Sequence, residues 1–381
     1  VKGITPESSN VIDTFKSMNG YGGNVSSLDA KFKTAVVHGR RTYIGNIKQP
    51  RGSSGKTYPD RMLKSQINKF DVFPDKMGSI DVAINDGESI VKLEAYADRI
   101  LQFKEKTMYI INVSETTDFL EETLQGKGCS YDYHVTKTDY GVAWFNLFGV
   151  YFFDGRSVSN LLEKDGMRLI NESDWEAFIT DGVDGSSDDL DMGSAHIAYI
   201  PKRRQLLIKN ENTDIYLYDF VLKAWMTGKE KAPALPDDTE VTNFALNENQ
   251  ELFYLSNTDA DVYTWSPNPS SNDNFLYITK DIDFGQPSVR KKIYKAYISY
   301  TSGSGGVPVC TYGVDGDSTP ATAVSSGSFL ANQSKWTQAE FKFGTDVNNC
   351  YSFQLKLTGA PAGASFEIND ITIVYRIKNP R

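Results

Sequence analysis

One pattern recurs five times between residues 35 and 256 of this 381-residue chain: a short apolar stretch, a polar tight turn, and an aromatic or β-branched stretch. Each copy has the composition of a β-hairpin, with turn-forming or charged residues at its tip. The copies are "AVVHGRRTYIG" (35–45), "LEAYADRILQFK" (93–104), "VAWFNLFGVYFFDG" (142–155), "AHIAYIPKRRQLLIKN" (195–210) and "TNFALNENQELFYLS" (242–256). The repeat therefore predicts stacked β units along most of the chain.

The spacing of these hairpins is close to that of β-propeller blades, which run about 40–50 residues. The first residues of the second strands lie 58, 50, 56 and 46 residues apart, at Thr42, Ile100, Val150, Leu206 and Leu252. The two longest gaps predict insertions, the first in residues 49–75 and the other in the acidic stretch 181–193. Further strands are predicted at 107–113, 213–227 and 260–266.

The first domain is therefore predicted to be a β-propeller of five to six blades over residues 31–275, because a single four-stranded blade must stack on neighbours to bury both faces. An irregular β-sandwich is the alternative fold. Residues 1–30 are predicted either to complete the last blade or to form an arm that docks on a partner.

After a Pro-, Ser- and Asn-rich linker at 266–274, the sequence changes to strands with period-two alternation joined by Gly-rich turns. Residues 276–381 are therefore predicted to form a β-sandwich or jelly roll, and the whole chain is predicted to be all-β. The segments that carry this pattern are 275–285, 291–303, 306–316, 336–344, 350–359 and 366–378.

The stretch "QPRGSSGKT" (49–57) ends like a nucleotide-binding P-loop. A P-loop also needs a glycine five residues before the Gly-Lys pair and a helix after it, so that backbone N–H groups surround the phosphates. Here Pro50 occupies the glycine position and has no N–H, and Pro59 pushes the preceding residue out of helical space. The sequence therefore predicts an inserted loop and no nucleotide site.

No pattern in the chain predicts a catalytic, cofactor-binding or metal-binding residue, so the chain is predicted not to be an enzyme. The three histidines, His38, His134 and His196, lie in different repeats without ligands at metal spacing. The acidic stretch 181–193 lacks the register of a calcium loop, and "VDGDS" (314–318) is typical of a plain turn. No Gly-x-Ser-x-Gly elbow or carboxylate pair is evident.

Three cysteines, Cys129, Cys310 and Cys350, form no metal or redox motif and are predicted to be buried free thiols, with a Cys310–Cys350 disulfide as the alternative. No run of 18 apolar residues predicts a membrane span, and the start "VKGITPESSNVIDTF" lacks the basic-then-apolar order of a secretion signal. The net charge of −9 argues against tight binding to phosphate backbones and suits a conduit through which nucleic acid slides.

Two kinds of surface are candidates for binding. The basic tips Arg40-Arg41 and Lys202-Arg203-Arg204 are either solvated turns or, if they share one rim, a docking surface for an acidic partner. The aromatic side chains Trp265 and Trp336 are candidates for stacking on sugars.

Four segments resemble virion proteins of tailed bacteriophages, especially β-propeller tail nozzle or stabilisation proteins. They are "HGRRTYIGNIKQ" (38–49), "GKTYPDRMLKSQINKFDVFPD" (55–75), "GKGCSYDYHVTKTDYGVAWFNLFGVYFFDG" (126–155) and "KDIDFGQPSVRKKIYKAYISY" (280–300). The resemblance implies a homo-oligomeric ring in the virion neck or tail that contacts neighbouring tail proteins. DNA would pass through its lumen without specific binding. Within that expectation, residues 49–57 are hypothesised to be an inter-subunit contact or exposed arm. A carbohydrate- or receptor-binding adhesin is the alternative function.

Overall fold

The computed structural model describes most of the chain and divides it into two compact units. The first is Val1–Glu230 with Ala234–Ser266, and the second is Lys231–Pro233 with Pro267–Arg381. The described residues are 16–18, 25–27, 30–49, 54–74, 78–82, 84, 86–115, 117–164, 166–180, 195–210, 214–229, 244–255, 262–265, 275–317, 319–359 and 366–378.

Almost every element in these residues is a β-strand, which confirms the all-β prediction. Within the described part of the chain there is one α-helix, α1 (Glu172–Thr180), and there are three short 3-10 helices, at Asp132–His134, Pro201–Arg203 and Asp346–Asn349. No helix in that part is long and apolar enough to cross a bilayer.

The strands of the first unit number twenty-four. They are β1 (Lys16–Met18), β2 (Val25–Ser27), β3 (Lys31–His38), β4 (Arg41–Gln49), β5 (Lys56–Lys64), β6 (Val72–Pro74), β7 (Ser79–Asp81), β8 (Ile90–Tyr96), β9 (Arg99–Lys104), β10 (Thr107–Asn112), β11 (Phe119–Gln125), β12 (Val135–Thr138), β13 (Gly141–Asn146), β14 (Gly149–Phe153), β15 (Val158–Asn160), β16 (Glu163–Lys164), β17 (Met167–Arg168), β18 (His196–Ile200), β19 (Gln205–Lys209), β20 (Asp214–Asp219), β21 (Ala224–Lys229), β22 (Ala245–Leu246), β23 (Leu252–Leu255) and β24 (Val262–Thr264), all within the described residues.

These strands form five antiparallel sheets in which neighbours in sequence are neighbours in space. Sheet I is β3-β4-β5-β7, sheet II is β8-β9-β10-β11, sheet III is β12-β13-β14-β15, sheet IV is β18-β19-β20-β21, and sheet V is β22-β23-β24. Two smaller sheets accompany them, β2-β1-β6 and β16-β17, and β1 runs parallel to β6.

All five predicted hairpins are present, one in each of sheets I to V, and the predicted further strands correspond to β10, β20 with β21, and β24. The residue pairs that close the hairpin turns are His38↔Arg41, Tyr96↔Arg99, Asn146↔Gly149, Ile200↔Gln205 and Leu246↔Leu252. Arg40 (φ 61°) and Arg204 (φ 55°) adopt the left-handed backbone conformation in two of these turns.

One detail of the predicted repeat is wrong. Residues 49–75 were expected to hold an insertion, but Lys56–Lys64 is the third strand of sheet I, paired with β4 and β7. In sheet III, β12 precedes the predicted hairpin, so β13 and β14 are the middle strands. The acidic stretch 181–193 lies outside the described residues.

Consecutive sheets pack face to face, because alternate residues of one strand point to opposite neighbours. In β13, Val142 and Trp144 join a core with Leu101 and Phe103 of sheet II, whereas Phe145 joins a core with sheet IV and α1. Similar cores unite sheet I with sheet II and sheet IV with sheet V. The opposite face of sheet I is covered by residues that include Phe73 of β6.

The first strands of neighbouring sheets also contact one another. The Leu93 backbone N–H on β8 donates to Thr34 Oγ1 on β3 at 2.9 Å. The Lys92 ammonium donates to the Asp132 and Val135 carbonyls at 2.7 and 2.9 Å, where β12 begins. The first strands of sheets I, II and III therefore follow one another side by side.

The second unit contains β25 (Phe275–Ile278), β26 (Lys291–Ser302), β27 (Val309–Val314), β28 (Thr322–Ala323), β29 (Gln333–Lys342), β30 (Phe353–Gly359) and β31 (Phe366–Ile377). They form two sheets, β25-β30-β27-β28 and β29-β26-β31. Tyr300 and Phe341 of one sheet share a buried core with Tyr312 and Phe353 of the other. Each of the six predicted segments overlaps one of these strands, although β29 begins at Gln333, three residues before the predicted segment; only the short β28 was not predicted.

We expect Trp144→Ala to lower the free energy of unfolding of the first unit by about 3–5 kcal/mol, because the indole is fully buried between sheets II and III. The substitution also removes a 2.8 Å hydrogen bond from Nε1 to the Lys127 carbonyl. Urea unfolding followed by fluorescence of the remaining tryptophans would measure the loss. Tyr140→Ala, at a site 40% exposed, is the control; equal midpoints for both variants would contradict the packing described.

Candidate functional site

The turns between the first two strands of sheets I to V make up one candidate surface, here called the turn rim: residues 39–40, 97–98, 139–140, 201–204 and 247–251. Side chains link neighbouring turns. The Tyr199 hydroxyl donates to Asp139 Oδ2 at 3.0 Å, and the Lys202 ammonium lies 3.0 Å from Glu251 Oε1. These contacts support the expectation that tips of adjacent repeats lie on one rim.

The basic tips on this rim are only partly available to a partner. The Arg41 guanidinium donates to the Ser65 carbonyl at 2.6 Å, and Lys202 pairs with Glu251. Arg40, Arg203 and Arg204 are exposed. Other turns of the same set carry acidic residues, namely Asp98, Asp139 and Glu251, so the turn rim presents mixed charge and not a continuous basic patch.

Two of the three histidines lie in one aromatic array. Tyr133 stacks on His196 with ring centroids 4.6 Å apart, and the fully buried His134 lies 4.2 Å from Phe145. His38 is at the end of β3, where partial burial and Lys137 lower the pKa of its imidazole, while Asp98 raises it. In the part of the chain that the structure describes, no three His, Cys, Asp or Glu side chains are grouped for metal binding.

The three cysteines are buried and free, which confirms the thiol prediction over a Cys310–Cys350 disulfide. Burial raises the pKa of the Cys129 and Cys310 thiols to about 12, so both are protonated at neutral pH. A protonated buried thiol is neither a nucleophile nor a metal ligand.

A buried ionic group, here called the Lys104 cluster, lies between sheets I and II and comprises Asp60, Asp86, Lys104 and Tyr109. The Lys104 side chain is fully buried, and its ammonium lies 2.7 Å from Asp60 Oδ1 on β5 and 2.7 Å from Asp86 Oδ2. The Tyr109 hydroxyl donates to the same Asp86 oxygen at 3.0 Å. One cation thus joins β5, β9 and the segment before β8.

Hydrogen bonding lowers the pKa of one carboxyl group in this cluster. Partial burial raises the pKa of the Asp86 carboxyl, but hydrogen bonds from Lys104, the Glu88 backbone and Tyr109 outweigh it, and the net pKa is lowered. Burial and the neighbouring Asp86 raise the pKa of Tyr109 to about 12. At neutral pH Asp86 is therefore a carboxylate that accepts a hydrogen bond from the neutral Tyr109 hydroxyl.

Gln102 lies two residues before Lys104 on β9, and its side chain points to the same face of sheet II. It is fully buried, and neither its amide nitrogen nor its amide oxygen has a hydrogen-bond partner. No sequence motif includes these residues. The available signal was the pair of polar side chains Gln102 and Lys104, two positions apart in the strand "RILQFK", in which the other residues after Arg99 are apolar.

The GKT stretch begins a strand. Lys48 pairs with Thr57 and Gln49 with Lys56 across the β4–β5 hairpin, and the Lys56 ammonium lies 5.2 Å from the Tyr58 ring. A P-loop lysine instead opens a helix, so this geometry is incompatible with a phosphate cradle. Residues 50–53 lie outside the described residues.

The two tryptophans proposed to stack on sugars differ in environment. Trp265 packs against the core shared by sheets IV and V, with its ring 6.0 Å from Phe244. Trp336, on β29, is 55% exposed. Only Trp336 of this pair therefore presents an indole face to solvent.

Comparison with known proteins gives weak matches. No known family profile matches the chain, and no curated protein matches it. Among solved structures, a catalytically inactive virginiamycin B lyase from Staphylococcus aureus has 11% identity and a TM-score of 0.39, covering 65% of this chain and 73% of that one.

Two further structures are similar at the same level. YCF48 bound to a peptide has 10% identity and a TM-score of 0.34, covering 61% of this chain and 62% of that one. A chain of the mitotic checkpoint complex has 11% identity and a TM-score of 0.40, with coverage of 70% and 84%. These values carry no inference about activity, substrate or partner.

We expect Lys104→Met to lower the free energy of unfolding by about 3 kcal/mol or more, because it leaves two carboxylates without their shared cation. Urea unfolding followed by tryptophan fluorescence reports mainly on the first unit, since Trp336 is the one tryptophan of the five in the second. The exposed Lys137→Met should change stability by less than about 0.5 kcal/mol. Equal losses of unfolding free energy in both variants would show that the Lys104 cluster adds nothing to stability.

Proposed function

We propose that the chain is a structural virion protein of a tailed bacteriophage, a nozzle-like neck or tail ring component. In this proposal sheets I to V are blades of a five- to six-bladed β-propeller, and the two sheets of the second unit form a β-sandwich. Copies of the chain assemble into a ring that contacts neighbouring tail proteins around the DNA exit path.

The observation that carries this proposal is the face-to-face packing of five consecutive antiparallel sheets. Sheets that stack in chain order about a common axis are the construction of a propeller, in which four-stranded blades surround a central channel. Such a body is a rigid spacer. The contacts between first strands, such as Leu93 with Thr34, are consistent with strands that line a central axis.

The buried polar groups of the described residues favour assembly over catalysis. The ionisable side chains of the Lys104 cluster join β5, β9 and the segment before β8, and the cysteines are buried free thiols. The net charge of −9 limits attraction to DNA phosphates, as a conduit requires. We therefore propose a protein without chemistry of its own.

Hairpin tips provide contact surfaces that can lengthen at little cost in stability. The β4–β5 tip spans six residues between the paired Gln49 and Lys56. We propose that this tip reaches a neighbouring copy in the ring.

The test is the mass of the purified full chain, measured by sedimentation and native mass spectrometry, with electron microscopy of the particles. We expect closed rings for the wild type. Replacing residues 50–55 by Asn-Gly should close the β4–β5 hairpin with a two-residue turn and leave the unfolding midpoint unchanged while it weakens the ring.

Two results would count against these proposals. Rings that form normally in the Asn-Gly variant would reject the role of the tip. A wild-type chain that forms no ring at any concentration, alone or with the portal protein of the same phage, would reject the ring component itself.

A carbohydrate-binding adhesin is the second candidate, favoured by one observation. The Trp336 side chain is 55% exposed on β29, where its neighbours on the same face of the strand, Ser334 and Gln338, are polar, and exposed aromatic faces stack on sugar rings.

On this second candidate, glycan-array binding by the purified chain should fall at least about tenfold in Trp336→Ala and stay unchanged in Tyr140→Ala, an exposed aromatic site in the first unit. If the wild-type chain binds no glycan on the array, the adhesin proposal is rejected.

A further inference from the structure

The two lateral sides of the second unit differ. On one side, β28 and β29 are bridged, because the Lys342 backbone N–H donates to the Ser326 carbonyl at 2.8 Å and Ser325 donates back to Lys342 at 2.7 Å. On the other side lie the edge strands β25 and β31, and within the described residues β31 pairs with β26 alone. That side is open.

A groove of about 710 Å³ runs along the open side, between β25 with the residues after it and β31. Its apolar lining comes from both sheets: Ile278, Ile282, Phe366, Ile368, Ile371 and Ile373. On β25, the side chains of Leu276 and Tyr277 are 61% and 41% exposed. An apolar groove beside a long unpaired edge is the surface that strand addition covers.

The order of charged residues along β31 indicates which strand would pair with its outer edge. Glu367 and Asp370 lie in its first half, whereas Arg376 lies near its end and Lys378 follows it. A strand that runs antiparallel to β31 and places cations opposite its acidic half must carry its own acidic residues near the N-terminal end and its basic residues near the C-terminal end. The β31 strand of a second copy has that order.

We propose that two copies of this chain pair through β31 in an antiparallel, two-fold contact that joins their three-stranded sheets into one of six strands. The contact places the open apolar side of each second unit against that of the other copy. This proposal does not rest on the proposed function.

The register follows from the alternation of side chains. With Thr372 at the two-fold axis, Asp370 lies opposite Val374 of the second copy, and both side chains point away from the core. β31 pairs Asp370 with Ser299 but Ile368 with Tyr300, so Asn369 is the extra residue of a bulge. The one-residue shift brings Glu367 opposite Arg376 of the second copy, and both residues are exposed.

Charged residues and bulges also protect edge strands from random pairing. In β31 the order of charges favours an antiparallel copy of the same strand over a strand of uniform charge, because a strand of uniform charge places like charges opposite one half of the edge. Like charges directly opposite across an antiparallel pair are destabilising.

Sedimentation equilibrium of the full chain tests the contact. We expect a wild-type monomer–dimer equilibrium at micromolar concentrations. Glu367→Lys and Arg376→Glu should each weaken the dimer at least about tenfold, since each places two like-charge pairs across the two-fold axis. The double variant, which reverses both charges, should return to within about threefold of the wild-type dissociation constant.

A mixture of the two single variants gives the sharpest outcome. Each is weak alone, but a heterodimer of the two places opposite charges at both contacts, so we expect the mixture to dimerise like the wild type. Lys335→Glu, an exposed charge reversal on the far edge strand β29, is the matched control and should leave the dimer unchanged.

Three results would overturn the inference. They are a wild-type monomer at 100 µM or above, dimers equally stable in all variants, and a mixture no stronger than its components. The ring proposal can fail separately, because a two-fold contact yields a dimer, or two rings joined back to back, whereas a ring with all copies facing one way requires head-to-tail contacts. The measured mass therefore separates the two proposals.

Discussion

A β-sheet has two faces, and in the first unit both faces of most sheets are covered by other sheets of the same chain. That requirement governs the rest of the structure. It explains why the interior strands are apolar at successive positions: in β13 the side chains of Trp144 and Phe145 enter different cores. An alternating polar pattern would leave one of these cores unfilled. The chain stacks its sheets in the order in which they are synthesised.

The Lys104 cluster is the exception within this apolar packing. A buried ammonium carries a large desolvation cost, and two carboxylates with a tyrosine hydroxyl offset it only when each is held in position. Asp60 and Asp86 come from different segments, so the cluster favours one relative placement of sheets I and II over others. Its neighbour Gln102 is buried with no hydrogen-bond partner for its amide group.

The second unit follows the same constraint with a different result. Its two sheets cover each other on their inner faces, one lateral side is bridged near Lys342, and the other side exposes the edge of β31 beside an apolar groove. A fold that covers its faces but not one edge is suited to association, because edge strands offer unpaired backbone groups. The proposed ring and the proposed dimer through β31 are both associations between copies of this chain.

The amino-acid sequence by itself determined the class of fold and the five hairpins, because short runs of β-branched and aromatic residues bounded by turn residues are local signals. It also excluded a P-loop, since Pro50 and Pro59 act locally. Only the tertiary structure decided that Lys56–Lys64 belongs to sheet I and that Asp60 meets Lys104. Pairings between residues 44 positions apart depend on which faces meet, and no local pattern encodes them.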